Sequence, residues 1–343
     1  MKIGKKELTK KQTVIGGIVL AALLLLGISS PYTLFGAGKT YLVKVPAGST
    51  NESVVDSIKA NIGGSYASRV KTMLGLLGAD MSTRQGAWRI SKGDSPIKAA
   101  HRLKSGAQSG IKFTFNNVRT KQEWAERWGA KFAAGKDAML RALNDPRLCM
   151  KEGKTPDNIT SMLIPDTYEF YWDITPEQML DRMHDYYEKF WTPERRAKAD
   201  SLGLTPEEVS IIASIAEEET SKKDELGKVA RLYINRYKKG MRLQADPTIK
   251  FALDDFSIKR ITTEMTQVKS PYNTYRIDGL PPGPIRMSEK SALDAVLDAP
   301  KHDYIYMCAK SDFSGYHDFT SDYNEHIRYA KAYRAELDKK GIK

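Results

Sequence analysis

Apolar positions along this chain recur with two periods, and the switch between them sketches the fold. Tyr41-Leu42-Val43-Lys44-Val45, Ala87-Trp88-Arg89-Ile90 and Ile111-Lys112-Phe113-Thr114-Phe115 alternate apolar and polar residues, the pattern of half-buried strands. The first strand runs into Pro46-Ala47-Gly48-Ser49-Thr50 and a helical stretch through Asn61. The second runs into Ser91-Lys92-Gly93-Asp94-Ser95 and a helix through Leu103. Both copies read strand, glycine turn, cap, helix. With the third strand they predict a small α+β unit over 36–118, ahead of a larger mixed α/β region over 119–343.

From Lys121 to Leu204 the pattern is mostly helical, with one exception, Leu163-Ile164-Pro165-Asp166-Thr167-Tyr168-Glu169-Phe170-Tyr171-Trp172. Its aromatics, Tyr168 among them, either stack sugar rings or form core. The most informative helix follows, from Leu204 to Thr220. Thr205 can cap it, Pro206 suits the first helical position, and Glu208 completes a capping box. Val209, Ile212, Ile215 and Ala216 form one apolar stripe. At about 100° per residue, Glu219 falls on that stripe, whereas Glu217 and Glu218 point away from it. Glu219 therefore meets a cation, has its pKa raised by desolvation, or simply ends the helix in solvent.

Downstream, Asp224 to Lys239 reads as an amphipathic helix ended by Gly240, and Asp246-Pro247-Thr248 as the cap and first turn of a short one. Pro271-Tyr272-Asn273-Thr274-Tyr275 and Gly279-Leu280-Pro281-Pro282-Gly283-Pro284 form a long polar loop of the kind that lines sites. Tyr304–Cys308 and His317–Phe319 read as strands, and Tyr323–Lys339 as a terminal helix.

The N-terminus changes the picture. Lys2, Lys5, Lys6, Lys10 and Lys11 precede an uncharged, largely apolar run from Thr13 to Phe35, 23 residues long. About 20 such residues span a bilayer, and no clean Ala-x-Ala cleavage site follows. The reading is a single uncleaved anchor over 13–35, with a cytoplasmic tail over 1–12 and everything after it extracytoplasmic. The net charge of +12 then suits a polyanionic envelope or headgroups, and that location argues against nucleic acid. Gly36-Ala37-Gly38-Lys39-Thr40 imitates a phosphate-binding loop, but no strand precedes it. Cys149 and Cys308 make no disulfide framework, and whether they pair stays open.

Five blocks in order carry a resemblance: Ala213–Thr220, Tyr233-Ile234-Asn235-Arg236, Leu243–Thr248, Tyr272–Tyr275 and Gly279–Gly283. Together they resemble the endolytic murein transglycosylases of the YceG-like type, the MltG proteins. Pro165-Asp166-Thr167-Tyr168 and the anchor fit the same layout, and the membrane-proximal unit resembles a LysM-like carbohydrate-binding module. The resemblance implies cleavage of the MurNAc-β-1,4-GlcNAc bond within nascent glycan strands. It implies no water, 1,6-anhydroMurNAc ends, and a limit on strand length. It makes Glu219 the catalytic glutamate, with Glu217 at a fixed position of the same block. The chain departs from the pattern at Glu218, often basic, and at Ala245, often threonine.

One carboxylate suffices if the sugar's own 6-hydroxyl attacks the anomeric carbon, since Glu219 can act first as acid and then as base. Gln244, Asn235, Asn273 and Thr274 are neutral hydrogen bonders suited to acetamido and hydroxyl groups. Asp246, Thr248, Tyr275, Tyr168 and Glu217 complete the expected substrate-binding set. No metal or other cofactor is expected. The expected partners are peptidoglycan glycan strands, with peptidoglycan synthases as candidates beside them. Two rivals stand: a lysozyme-type muramidase with Asp246 or Glu169 as second carboxylate, and an anchored glycan-binding scaffold without catalysis. For topology, alkaline phosphatase fused after Lys343 should be active; a mature N-terminus near Ser30 would refute the anchor.

Overall fold

The computed structural model describes residues 14–22, 39–91 and 93–340. Of the expected anchor, residues 14–22 form an exposed helix, α1, and the rest lies outside the described residues. Among the described residues, no helix is long and apolar enough to cross a membrane.

The chain divides into two compact units. The first holds the described residues up to Lys112 together with Lys131–Ala133 and Glu169–Ile174. In it β1 (Thr40–Val45) pairs antiparallel with β2 (Gly86–Ser91), placing Val43 opposite Trp88. Between them run α2 (Asn51–Asn61) and α3 (Gly64–Leu76), and after them α4 (Pro96–Ser105). The order β-α-α-β agrees with the sequence pattern except that α3 went unread there. Alternation explains the packing: Val43 and Val45 of β1 and Trp88 and Ile90 of β2 face one core. Ile58, Val70, Leu74 and Leu103 close it from the helices.

The second unit comprises Phe113–Ala130, Ala134–Tyr168 and Thr175–Lys343. Its elements include α5 (Lys121–Gly129), α6 (Gly135–Ala142), α7 (Pro146–Lys151), α8 (Pro176–Phe190), α9 (Pro193–Ser201), α10 (Pro206–Glu219), α11 (Lys223–Lys238), α12 (Asp246–Ala252), α13 (Lys290–Leu297) and α14 (Tyr323–Lys339). Two short strand pairs, β3 (Ile111–Phe115) with β4 (Asp166–Phe170) and, antiparallel, β5 (Tyr306–Ala309) with β6 (His317–Thr320), complete a mixed α+β fold, residues 111–112 and 169–170 of the first pair belonging to the first unit. Helix α10 is the centre. Every residue from Val209 to Ala216 is buried, because α9, α11, α12 and α13 pack around it. Its capping box forms as expected, with Thr205 accepting from the Glu208 backbone and Glu208 from that of Thr205.

The aromatics of β4 turn out to be core. Tyr168 is 5% exposed and stacks on Phe115, with ring centroids 5.8 Å apart, and its hydroxyl donates to the Ile164 carbonyl. Phe115 also meets Trp124 edge-on at 5.8 Å. Phe115→Ala should therefore destabilise this unit by about 3–5 kcal/mol, the range for deleting a buried aromatic ring; urea unfolding checks it, and a loss under about 1 kcal/mol would contradict this packing.

Candidate functional site

Glu219 ends α10 and lines a cleft of about 1230 Å³. The Tyr233 hydroxyl of α11 donates to its Oε1 at 2.6 Å. Burial pushes its carboxyl up to about 7, Tyr233 opposing the shift and the negative charge of Asp246 adding to it. Tyr233 itself titrates well above its ordinary value, through burial and the adjoining carboxylate, and so stays a donor. Glu219 thus carries a proton over much of the neutral range at an accessible wall.

The two preceding glutamates, which the stripe reading points away from the apolar face, do not reach open solvent either. Both are part-buried, because α10 is covered on all sides. Glu218 accepts from Arg119 Nε (2.8 Å) and Nη2 (3.0 Å) and from Arg286 Nη1 (2.9 Å). Glu217 lies 3.4 Å from Arg286 Nε and accepts from the Glu289 backbone at 3.3 Å, just ahead of α13. Burial raises Glu217 to about 7 against the pull of Arg286. Neither lines the cleft.

Three of the expected binding residues do line it: Gln244, Asp246 and Tyr275. Gln244 sits at φ +50°, a left-handed conformation that costs a non-glycine residue roughly 1 kcal/mol or more. Its backbone donates to Thr274 O at 3.1 Å and its side chain accepts from Arg236 Nη2 at 2.6 Å. Asp246 is not the cap of α12: Ala245 holds that place, and Asp246 lies in the first turn, accepting from the Tyr275 hydroxyl at 2.5 Å. Its carboxylate faces the cleft because it is not spent on capping.

Asn235, Thr248, Asn273, Thr274 and Tyr168 do not line the cleft. Their polar atoms are committed elsewhere. Asn235 donates to His302 O (2.7 Å) and Tyr304 O (3.0 Å), holding the approach to β5. Asn273 donates to Thr266 O and Val268 O, shaping the 266–275 loop. The Thr248 and Thr274 hydroxyls meet at 2.8 Å, and Thr274 also accepts from the Ala245 backbone at 3.0 Å. Thr248, Asn273 and Thr274 fix the backbone on which Gln244, Asp246 and Tyr275 stand. The Gly279–Pro284 stretch is absent from the lining too. Gly283 instead passes so near the Asp157 carbonyl that a Cβ would come within 2.0 Å of it.

Sequence reading missed a further part of the lining. It comes from β5, His317 and α14, where Tyr306, Tyr323 and Tyr333 supply rings. Tyr306 and Tyr323 lie 5.7 Å apart, and Tyr323 is 59% exposed. Spacing on the terminal helix hinted at this, since Tyr323, His326, Tyr333, Arg334 and Leu337 fall within an arc of about 100° at about 100° per residue. Both cysteines are free; Cys149 is buried and Cys308 lines the cleft. Among the described residues, no group of three or more His, Cys, Asp or Glu side chains is placed to hold a metal ion.

Residues 43–332 match the family model described as the YceG-like family. The chain belongs to that family. An endolytic murein transglycosylase of Bacillus subtilis (strain 168) is 26% identical over 322 residues, covering 88% of this chain and 87% of the relative. An endolytic murein transglycosylase of Streptococcus pneumoniae serotype 2 is 28% identical over 166 residues, 47% of this chain and 30% of its own length. The crystal structure of a YceG-like protein from Listeria monocytogenes superposes with a TM-score of 0.55 at 24% identity, covering 84% of this chain and 98% of that one. At that identity the likeness speaks for the shared YceG-like fold.

The Glu218 cluster yields a test. Glu218→Ala leaves Arg286, whose side chain is only 9% exposed, without its closest carboxylate. Breaking a buried pair from one side should cost about 3 kcal/mol, read as a lower thermal midpoint. An unchanged midpoint would mean the pair contributes nothing to the fold.

Proposed function

We propose that this YceG-like protein is a peptidoglycan lytic endotransglycosylase, with Glu219 as its proton-transfer residue. One observation carries the reading: a carboxyl held near half-protonation at neutral pH, on the wall of a cleft large enough for several sugar rings. The names of the relatives point to the same polymer. The protonated carboxyl of Glu219 gives its proton to the glycosidic oxygen as the bond from C1 of MurNAc to that oxygen breaks. The 6-hydroxyl of the same sugar closes on C1, and its proton passes to the Glu219 carboxylate. The acid form is regenerated, and a 1,6-anhydro end is left. Tyr233 orients the carboxyl throughout.

Gln244, Asp246 and Tyr275 offer one amide, one carboxylate and one hydroxyl to the glycan. Tyr306 and Tyr323 offer apolar ring faces to sugar C–H groups. In this reading the protein is held at the cell membrane by the segment 13–35, with the cleft on the extracytoplasmic side. It acts on nascent strands beside a peptidoglycan synthase, and the membrane-proximal unit positions or loosely binds glycan as a LysM-like module would.

A hydrolytic reading keeps one observation in its favour: Asp246 lines the same cleft as Glu219 and has a free carboxylate edge. Glu169, the other carboxylate considered for that role, belongs to the first unit. Mass spectrometry of digested murein separates the readings, since anhydro ends mark the transglycosylase and reducing ends a muramidase. A protein that binds murein and generates neither is a scaffold.

The pH dependence has a definite sign. Glu219 has its folded pKa raised from 4.5 to about 7, so the folded state holds the proton more tightly than the unfolded one. Its contribution to stability is fully present below about 4.5 and is lost as pH rises through about 7. Glu219→Gln should therefore remain folded, gain stability relative to the parent at pH 8, and lose at least about 100-fold in end formation. Denaturation at pH 5 and pH 8 with an end-group assay checks both halves; a folded, active Glu219→Gln protein removes this residue from the mechanism.

A further inference from the structure

A second built feature faces the cleft from the β5–β6 hairpin. Glu225, in the first turn of α11, is 6% exposed. Its Oε1 accepts from the His317 backbone at 2.8 Å, and its Oε2 lies 2.9 Å from His317 Nδ1. Oε2 also accepts from the hydroxyl of Thr220 at 3.2 Å, the residue directly after Glu219. The preceding hairpin residue is held to the same turn, with the Tyr316 hydroxyl donating to Asp224 at 3.1 Å. One buried carboxylate thus ties the end of α10 to the ring of His317.

That arrangement fixes the chemistry of the ring. A carboxylate only accepts, so Nδ1 must donate to it, and the neutral imidazole then presents Nε2 as an acceptor. Nε2 has no hydrogen-bond partner among the described residues, although the His317 side chain is only 12% exposed and lines the cleft that Glu219 lines. We propose that His317 is a substrate-contacting residue whose Nε2 accepts from a sugar hydroxyl or acetamido N–H, and that Glu225 is the residue that positions it. The proposal rests on the reading of the cleft as a glycan site and adds a contact from the β5–β6 hairpin.

The rival account is a staple: the Glu225–His317 bond holds the hairpin down, and Nε2 does nothing. Two substitutions separate the accounts. In His317→Asn the amide nitrogen can take the place of Nδ1 and keep the bond to Glu225, while nothing replaces Nε2. In His317→Gln the longer side chain can carry an acceptor to the place of Nε2 and gives up the bond to Glu225. Both leave the backbone bond from residue 317 intact.

Each is placed in the full-length Glu219→Gln protein, which binds without turnover, and titrated with peptide-free murein strands by calorimetry. The expected result is a Kd about tenfold higher for His317→Asn at an unchanged thermal midpoint, with His317→Gln within about threefold of the parent, the size of one neutral hydrogen bond. Equal affinities in all three proteins, an equal loss in both variants, or a loss confined to His317→Gln would overturn the proposal. If the Glu219→Gln parent itself fails to bind strands, the glycan-site reading falls and this contact with it. If the native protein forms new murein ends while both variants bind alike, the contact alone falls.

Discussion

A helix that ends in three consecutive glutamates is electrostatically awkward, because its C-terminal carbonyls already carry partial negative charge. In α10 no basic residue sits in the last turn to relieve this. Relief comes from outside the helix, and it is uneven. Arg119 and Arg286 neutralise Glu218, and Arg286 also serves Glu217. Glu219 receives the Tyr233 hydroxyl and a pull from the charge of Lys250, with Asp246 as a further negative neighbour. Burial raises Glu217 and Glu219 alike, and of these two proton-holding carboxyls only that of Glu219 lines the cleft. Because the two arginines hold the end of the helix in place, that proton has a fixed address on the cleft wall.

Part of this was legible in the sequence because it is local. The capping box, the Pro206 start and the apolar positions of α10 are all set within one stretch of chain, and all appear in the structure. So do the extent of α11, the terminal helix and the alternating strands β1, β2 and β3. The direction of the Glu219 shift followed from its place on the stripe. What the stripe does not reveal is that the other faces of α10 are covered too. The helix is buried on all faces, and the residues that cover the glutamates lie 99 and 68 positions away, beyond the reach of any periodicity.

The binding set shows the same boundary from another side. Asn235, Asn273, Thr248 and Thr274 have the chemistry of sugar ligands, but residue type does not say where a polar atom is spent. Buried amides and hydroxyls must be satisfied, and here backbone carbonyls and each other satisfy them. Gln244, Asp246 and Tyr275 differ because the loops so fixed turn them outward. The aromatic wall lay in the segment least covered by the resemblance, so its rings carried no motif to mark them.

The two walls of the cleft also differ in how firmly they are seated. Helices α10 and α11 bury eight and nine residues respectively, whereas α14 buries none. The free energy of local opening scales with buried contact, so the cleft has a stiff side carrying the carboxyl and a compliant side carrying the tyrosines. For a polymer that must be entered at its middle, this asymmetry matters. An unbroken strand cannot thread through a closed tunnel and must be laid in sideways, and a groove with one yielding bank admits it while the carboxyl of Glu219 stays still.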